Sequence, residues 1–129
     1  MSKVEPGLLY TEEDEWVKVD GDEATIGVSD HAQDSLSDIV YLELPNVGDS
    51  FEKGNTFGVI ESVKAAADIY MPISGEVIAV NDGIIDTPEI VNSDPYGDAW
   101  MIKIKISNPS ELDQLMDVDT YIKFLADHE

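Results

Sequence analysis

Few residue types in this chain could do chemistry. It has no cysteine, which excludes thiol nucleophiles, disulfides and thiolate metal sites. The two histidines, His31 and His128, lie far apart, and we interpret His31 as a helix-surface or cap residue because a metal site would need more ligands. The remaining candidates are 28 acidic residues and seven lysines. Any redox chemistry must therefore be supplied by a cofactor.

One lysine, Lys64, has distinctive surroundings. Residues 61–67 favour a helix by propensity, but seven residues between two β-like runs would form only a marginal helix. The flanking runs, 56–60 and 69–73, are spaced like two strands that meet at a turn. We therefore predict a β-hairpin with Lys64 at its tip, where another protein can reach the amine. On composition alone, Lys64 could still be an ordinary solvated surface lysine.

The elements that would position this hairpin are mostly strands. Alternating segments 15–19 and 23–28 flank an Asp-Gly turn at Gly21 and predict another hairpin. Ser29 is placed to cap a short helix that ends near Leu36, and residues 39–44 and 76–81 are strand-like. Late in the chain, the period predicts a half-buried strand, with Trp100, Ile102, Ile104 and Ile106 on one face and Met101, Lys103 and Lys105 on the other.

The C-terminal stretch changes to a helical period. Asn108-Pro109 suits a helix start, Ser110 and Asp113 resemble a capping pair, and the helical spacing continues through Leu115 and Met116. A second short helix is expected after Asp119, with Tyr121, Phe124 and Leu125 on one side. With helices confined to one early segment and the C-terminus, the chain is predicted to be a β-dominated sandwich or barrel.

Length and charge limit the classes of function. The 129 residues suit one domain, and 28 acidic residues against seven lysines give a formal net charge of −21. Nucleic acids and anionic membranes are poor partners for such a surface, whereas basic protein surfaces are favoured. The acidity could also serve solubility alone. Residues 1–7 lack a signal or transit pattern and no apolar run spans a membrane, so we expect a cytoplasmic protein.

Sequence blocks along nearly the whole chain resemble the glycine cleavage H-protein family. Glu61-Ser62-Val63-Lys64-Ala65, followed by residues 72–77, is similar to the family's lipoyl attachment segment. Further blocks occur in family order at residues 14–17, 25–33, 40–45, 91–96 and 99–105. The resemblance implies a mainly β, barrel-sandwich hybrid fold of the lipoyl-carrier type, with a short early helix and C-terminal helices. It implies one domain, 1–129, with a carrier core at about 23–106.

The resemblance also implies the function. Lys64 would bear lipoate in amide linkage, on an arm that reaches roughly 14 Å from the backbone. The chain would be a non-catalytic carrier that shuttles the aminomethyl group of glycine from the pyridoxal-phosphate-dependent glycine decarboxylase to a folate-dependent aminomethyltransferase. Dihydrolipoyl dehydrogenase would reoxidise the arm, and a lipoate-attaching enzyme would load it. We expect the free protein to be a monomer.

Acidic residues near the arm would stabilise its cationic amine. Glu15 is the first candidate, with Asp68 and Glu61 as further ones, although each could be an ordinary exposed carboxylate. The chain departs from the common family pattern at Asp14, where many members have histidine, and at Ser35, where some have a second one. Their roles are therefore open.

Two other functions fit parts of the sequence. One is a lipoyl domain that serves 2-oxo-acid dehydrogenases or relays lipoate, although such domains lack the Trp16 hairpin and the C-terminal helices. The other is an acidic protein-interaction module without a cofactor. Biotin attachment is disfavoured because Val63 and Ala65, and not methionines, flank Lys64.

Overall fold

The fold consists of two antiparallel β-sheets, with helices between some of the strands and after the last one. The computed structural model describes residues 3–128, the last by its backbone alone, so Met1, Ser2 and Glu129 lie outside the described residues. The larger sheet has the strand order β1-β2-β3-β9-β8-β5, and the smaller has the order β4-β6-β7. The strands are β1 Leu9–Tyr10, β2 Glu15–Asp20, β3 Glu23–Val28, β4 Ile39–Glu43, β5 Ser50–Phe51, β6 Thr56–Ser62, β7 Ala66–Tyr70, β8 Gly75–Val80 and β9 Ile102–Ile106. The mainly β fold class is therefore confirmed.

Four α-helices and one 3₁₀ helix complete the described part of the chain. They are α1 Asp30–Leu36, α2 Gly83–Asp86, α3 Ile90–Ser93, the 3₁₀ helix Pro109–Gln114 and α4 Val118–His128. As predicted, Ser29 caps α1, its side chain accepting a hydrogen bond from the N–H of Ala32. The β2–β3 hairpin turns at Gly21, whose φ of 64° favours glycine.

The hydrophobic core lies between the two sheets. Ile102, Ile104 and Ile106 of β9 are buried, whereas Lys103 and Lys105 are exposed, as the alternation predicts. A second buried cluster joins Tyr10 and Trp16 to Tyr121 and Leu125 of α4. The C-terminal helix is therefore packed onto the start of the large sheet, beside the segment that contains Glu15.

Four sequence predictions about local structure were wrong in detail. Met101 is fully buried, because it precedes β9 and its N–H bonds to Ile26 of β3, outside the alternation of the strand. The predicted strand 69–73 lies three residues early, at Ala66–Tyr70. The predicted helix through Leu115 and Met116 is a 3₁₀ helix that ends at Gln114, because Met116 pairs with Tyr10. Asn108, and not Ser110 with Asp113, caps it.

Helices are also not confined to one early segment and the C-terminus. The single-turn helices α2 and α3 were not predicted, since four residues are too few to show a helical period.

Glycine is required at position 58, where β6 lies directly beside the end of β4. A Cβ atom at this position would lie 2.5 Å from the carbonyl oxygen of Glu43. We expect Gly58→Ala to lower the free energy of unfolding by about 2–3 kcal/mol, because the backbone of one strand must shift. Denaturant titration of this variant and of Gly83→Ala, whose Cβ would meet nothing closer than 3.8 Å, measures the difference. Equal stability of the two variants would contradict the close approach.

Candidate functional site

Lys64 lies in the tight connection between β6 and β7 and is exposed. Ser62 fixes this tip: its hydroxyl accepts hydrogen bonds from the N–H groups of Lys64 (3.3 Å) and Ala65 (3.1 Å) and donates to the carbonyl of Ala65 (3.2 Å). The Ser62 N–H donates to the same carbonyl at 2.7 Å. The described segment 61–67 contains no helix, as we expected. The prediction that Lys64 is exposed at the tip of a hairpin is confirmed.

A cavity of ≈ 210 Å³ opens beside this hairpin, between β6, β7, α1 and the start of β2. Its walls are mostly apolar, while carboxylates border it. The apolar lining includes Val28, Leu36, Ile60 and Ile69, and the polar lining includes Glu15, Ser35 and Asp68. The structure thus brings two of the three predicted acidic residues together at one cavity.

Glu15 is almost completely buried, with 2% of its surface exposed. The hydroxyl of Thr11 donates to its Oε1 at 2.7 Å, and the N–H of Tyr70 donates to its Oε2 at 3.1 Å. Burial raises the pKa of Glu15 to about 8, a change that nearby Glu13 and Asp14 reinforce and the two hydrogen bonds oppose. The carboxyl group is therefore held in place and poised to gain or lose a proton near neutral pH.

The raised pKa of Glu15 makes a prediction about stability. Because the folded pKa of about 8 exceeds the usual 4.5, the folded chain keeps a proton that the unfolded chain loses between these values. The stability that Glu15 contributes is thus present below pH 4.5 and is lost as pH rises towards 8. We expect Glu15→Gln to remove this dependence on pH. Relative to wild type, its free energy of unfolding should rise by about 2–5 kcal/mol as the pH goes from 4.5 to 8.5, since a pKa difference of one is about 1.4 kcal/mol.

Urea titrations at several pH values measure this effect, with Glu43→Gln as the control because Glu43 is an exposed carboxylate. If both variants shared the wild-type dependence of stability on pH, the pKa of Glu15 would not be raised by folding.

Asp14 links the site to the C-terminal helix. Its Oδ1 accepts a hydrogen bond from the hydroxyl of Tyr121 at 2.8 Å, and its carbonyl accepts from the N–H of Ser29 at 2.8 Å. The pKa of Asp14 is raised by burial, against the opposing hydrogen bond from Tyr121. Asp14 has a φ of 66°, which turns the chain into β2. Asp14 therefore links α4 to the segment that contains Glu15.

Glu61 and Asp68 occupy different surroundings. Asp68 is exposed on β7 and borders the cavity. Glu61 follows Ile60 on β6, and neighbouring residues of a strand point to opposite faces. Among the described residues, the cavity lining includes Ile60 but not Glu61. The structure therefore does not bring Glu61 together with Glu15 and Asp68.

Sequence reasoning missed Thr11 and Tyr70 as partners of Glu15. Thr11 precedes Glu15 by four residues in an irregular segment, where spacing gives no contact rule, and Tyr70 contributes its backbone N–H, which no side-chain pattern reports. Ser35 was noted as a departure, and the structure places it in the cavity lining.

A larger cavity of ≈ 400 Å³ lies on the other side of Glu15, lined in part by Tyr10, Tyr70, Met71 and Met116. Tyr70 is six residues from Lys64 along the chain, roughly 20 Å in an extended strand, whereas Asp68 is four residues away, roughly 13 Å. The smaller cavity is therefore the nearer of the two to a group attached to Lys64.

Residues 3–128 contain no group of three or more His, Cys, Asp or Glu side chains placed to hold a metal ion. None of the helices within the same range combines the length and the hydrophobicity that a membrane span requires.

A β-scaffold that presents one lysine on a fixed hairpin tip, beside an apolar cavity with an acidic border, defines a carrier protein of the swinging-arm class. Comparison with known proteins agrees: the family model for the glycine cleavage H-protein matches residues 8–128. The glycine cleavage system H protein of Carboxydothermus hydrogenoformans is 54% identical over 127 residues, which are 98% of this chain and 98% of the relative.

Two more relatives extend the comparison. The mitochondrial H protein of Flaveria pringlei is 51% identical over 99% of this chain and 79% of the relative. The crystal structure of a glycine cleavage system H protein from Mycobacterium marinum superposes with a TM-score of 0.86 at 28% identity, over 93% of this chain and 97% of that one. The chain therefore belongs to the glycine cleavage H-protein family. It is a non-catalytic lipoyl-carrier component of the glycine cleavage system, and neither alternative function is supported.

Proposed function

We propose that Lys64 is the residue that carries lipoate, in amide linkage to its Nζ. The observation that supports this most is the exposed position of Lys64 on a hairpin tip that Ser62 fixes by three hydrogen bonds. A fixed backbone below a mobile side chain lets the attached group sweep a defined region of space. Tethering then replaces diffusion of a free cofactor by a high local concentration at each enzyme.

The described residues fit such a group. Bound lipoate supplies a redox-active disulfide that accepts and hands on the aminomethyl unit of glycine. Val28, Leu36 and Ile60 give the cavity the apolar walls that suit a dithiolane ring, while Glu15 and Asp68 offer carboxylates for a cationic amine. An arm of roughly 14 Å reaches the level of Asp68, which lies roughly 13 Å from Lys64 along the strand.

Glu15 would hold the amine of the loaded arm. Its Oε2 bonds to the N–H of Tyr70, roughly 18 Å from Lys64, a distance covered by the arm, the added carbon–nitrogen unit and one hydrogen bond. A cationic amine at this place would favour the ionised carboxylate and so release the proton that burial retains there. The apolar walls would exclude water from the same amine, and this would slow hydrolysis.

The partners follow from this role. The enzymes that would meet the arm are the pyridoxal-phosphate-dependent glycine decarboxylase, the aminomethyltransferase, dihydrolipoyl dehydrogenase and the lipoate-attaching enzyme. The net charge of −21 supports partners with basic surfaces. A monomeric state, a cytoplasmic location, and a single domain 1–129 with a carrier core at about 23–106 remain predictions.

Exchange of labelled bicarbonate into glycine tests the proposed function. We expect the decarboxylase to catalyse exchange when it is given this chain after lipoylation, and to show only its background rate with the same chain before lipoylation. Exchange that is equal with both forms would contradict a lipoate-dependent role.

A further inference from the structure

Three large apolar side chains are exposed around the base of the Lys64 tip. Val63, next to Lys64, is 66% exposed, and Val40 and Tyr41 of β4 are 54% and 45% exposed. We name these three residues the tip patch. Grouped apolar side chains on an otherwise strongly acidic surface are typical of a contact with another protein.

The fold builds this exposure through a β-bulge. The register between β4 and β6 shifts between Ile39 and Tyr41. Plain alternation would bury one of two successive residues, but both Val40 and Tyr41 are exposed, while Ile39 and Leu42 on either side are buried. The bulge therefore keeps two apolar side chains on the surface without disturbing the core below them.

Backbone pairing brings this part of β4 to the tip. Tyr41 lies opposite Glu61, so their side chains share one face of the sheet. Val63 follows the last residue of β6, and its N–H donates to the carbonyl of Asp38 at 3.0 Å, which holds it beside the start of β4. The tip patch thus borders Lys64 from two adjacent segments of chain.

We propose that the tip patch is the docking surface for the enzyme that attaches lipoate to Lys64. This inference rests on the proposed function of Lys64. In the attachment step, the neutral Nζ attacks the carbonyl carbon of lipoate that the enzyme has activated with ATP as an acyl-phosphate anhydride. A C–N bond forms, the C–O bond to the phosphate leaving group breaks, and the Nζ loses a proton.

Reach distinguishes this enzyme from the others that meet the carrier. The lysine side chain extends only roughly 6 Å from the backbone, so an enzyme that acylates the Nζ must touch the residues around the tip. Enzymes that act on the far end of the attached group work roughly 14 Å away. An attaching enzyme must therefore come close to Val40 and Val63, whereas the other enzymes can dock elsewhere and still reach the end of the arm.

Charge gives the second property of this partner. Three acidic residues border the tip patch. Asp38 and Glu43, which precede and follow Val40 and Tyr41 in the chain, are exposed, and Glu61 lies opposite Tyr41. A partner with an apolar centre and a basic rim complements this arrangement, and the charges would speed and orient the encounter.

The double variant Val40→Thr/Val63→Thr tests the inference, because threonine keeps the β-branched shape and replaces a methyl by a hydroxyl. The matched control is Val19→Thr/Val47→Thr, which changes two valines that are 39% and 63% exposed elsewhere. With a lipoate–protein ligase, lipoate and ATP, we expect kcat/KM for modification of Lys64 to fall about tenfold in the first variant, equivalent to about 1.4 kcal/mol. The control should match wild type. Thermal melts by circular dichroism verify that both variants are folded.

Each variant, once fully lipoylated by prolonged incubation, is then assayed with the decarboxylase. Unchanged exchange in the tip-patch variant supports docking of the attaching enzyme. Wild-type kcat/KM for attachment, or an equal loss in attachment and exchange, would overturn the inference while leaving Lys64 as the attachment site. If wild-type chain is not modified at Lys64 at all, both the inference and the proposed function fail.

Discussion

Replacement of Lys64 by arginine is expected to abolish carrier function while leaving the fold intact. Arginine keeps the positive charge and the length of the side chain, but its guanidinium stays protonated and cannot form the amide. Because no other described lysine lies on the Ser62-fixed tip, we expect lipoylation to disappear and exchange with the decarboxylase to fall at least about a hundredfold, the loss that accompanies a missing tether.

The matched control is Lys18→Arg, which makes the same chemical change at an exposed lysine of β2. It should be modified and active like wild type, and melting temperatures of the two variants should agree with wild type, because Lys64 is exposed. If Lys64→Arg retained exchange activity, lipoate would have to be attached to another lysine, and the proposal for Lys64 would be wrong.

Replacement of Glu15 by glutamine is expected to shorten the lifetime of the aminomethyl-loaded carrier. A hydrogen bond to a charged partner contributes about 1.5–3 kcal/mol, which corresponds to a roughly 10–100-fold faster release of the one-carbon amine. Glutamine retains the size and one acceptor oxygen of the side chain, so Thr11 or Tyr70 keeps a hydrogen-bond partner. Release of ammonia from isolated loaded protein, followed over time, measures the lifetime.

Matched carboxylate variants show whether position matters more than charge. Asp68→Asn, at the border of the cavity, should shorten the lifetime by a few-fold, because an exposed carboxylate acts through water. Glu61→Gln, on the opposite face of β6, should leave it unchanged. The difference between Glu15→Gln and wild type should also shrink as pH falls, because a protonated Glu15 no longer provides a charge. Equal lifetimes in all three variants would contradict an acidic pocket.

The local elements were predictable where one physical signal dominated. Gly21 with its aspartate neighbour marks the β2–β3 turn, Ser29 caps α1, and alternating isoleucines define β9. The hairpin at Lys64 was predictable because a helix of seven residues between strands would be marginal. In each case, the signal acts over a few residues and does not depend on the rest of the fold.

The arrangement of the site was less predictable, because its contacts join segments distant in sequence. Glu15 bonds to the backbone of Tyr70, 55 residues later, and Asp14 bonds to Tyr121, 107 residues later. Met116 leaves the helical pattern of its own segment to pair with Tyr10. Glu15 was a candidate because a carboxylate would stabilise the cationic amine of the arm, whereas its burial and raised pKa depend on how distant segments of the chain pack together.

Peptide mass spectrometry across residues 58–75, after expression with the lipoate-attaching and glycine cleavage enzymes, tests the central claim most directly. A lipoyl group on the Nζ of Lys64, and on no other lysine, is the result that the account predicts. An unmodified Lys64 in protein that supports glycine–bicarbonate exchange would contradict it.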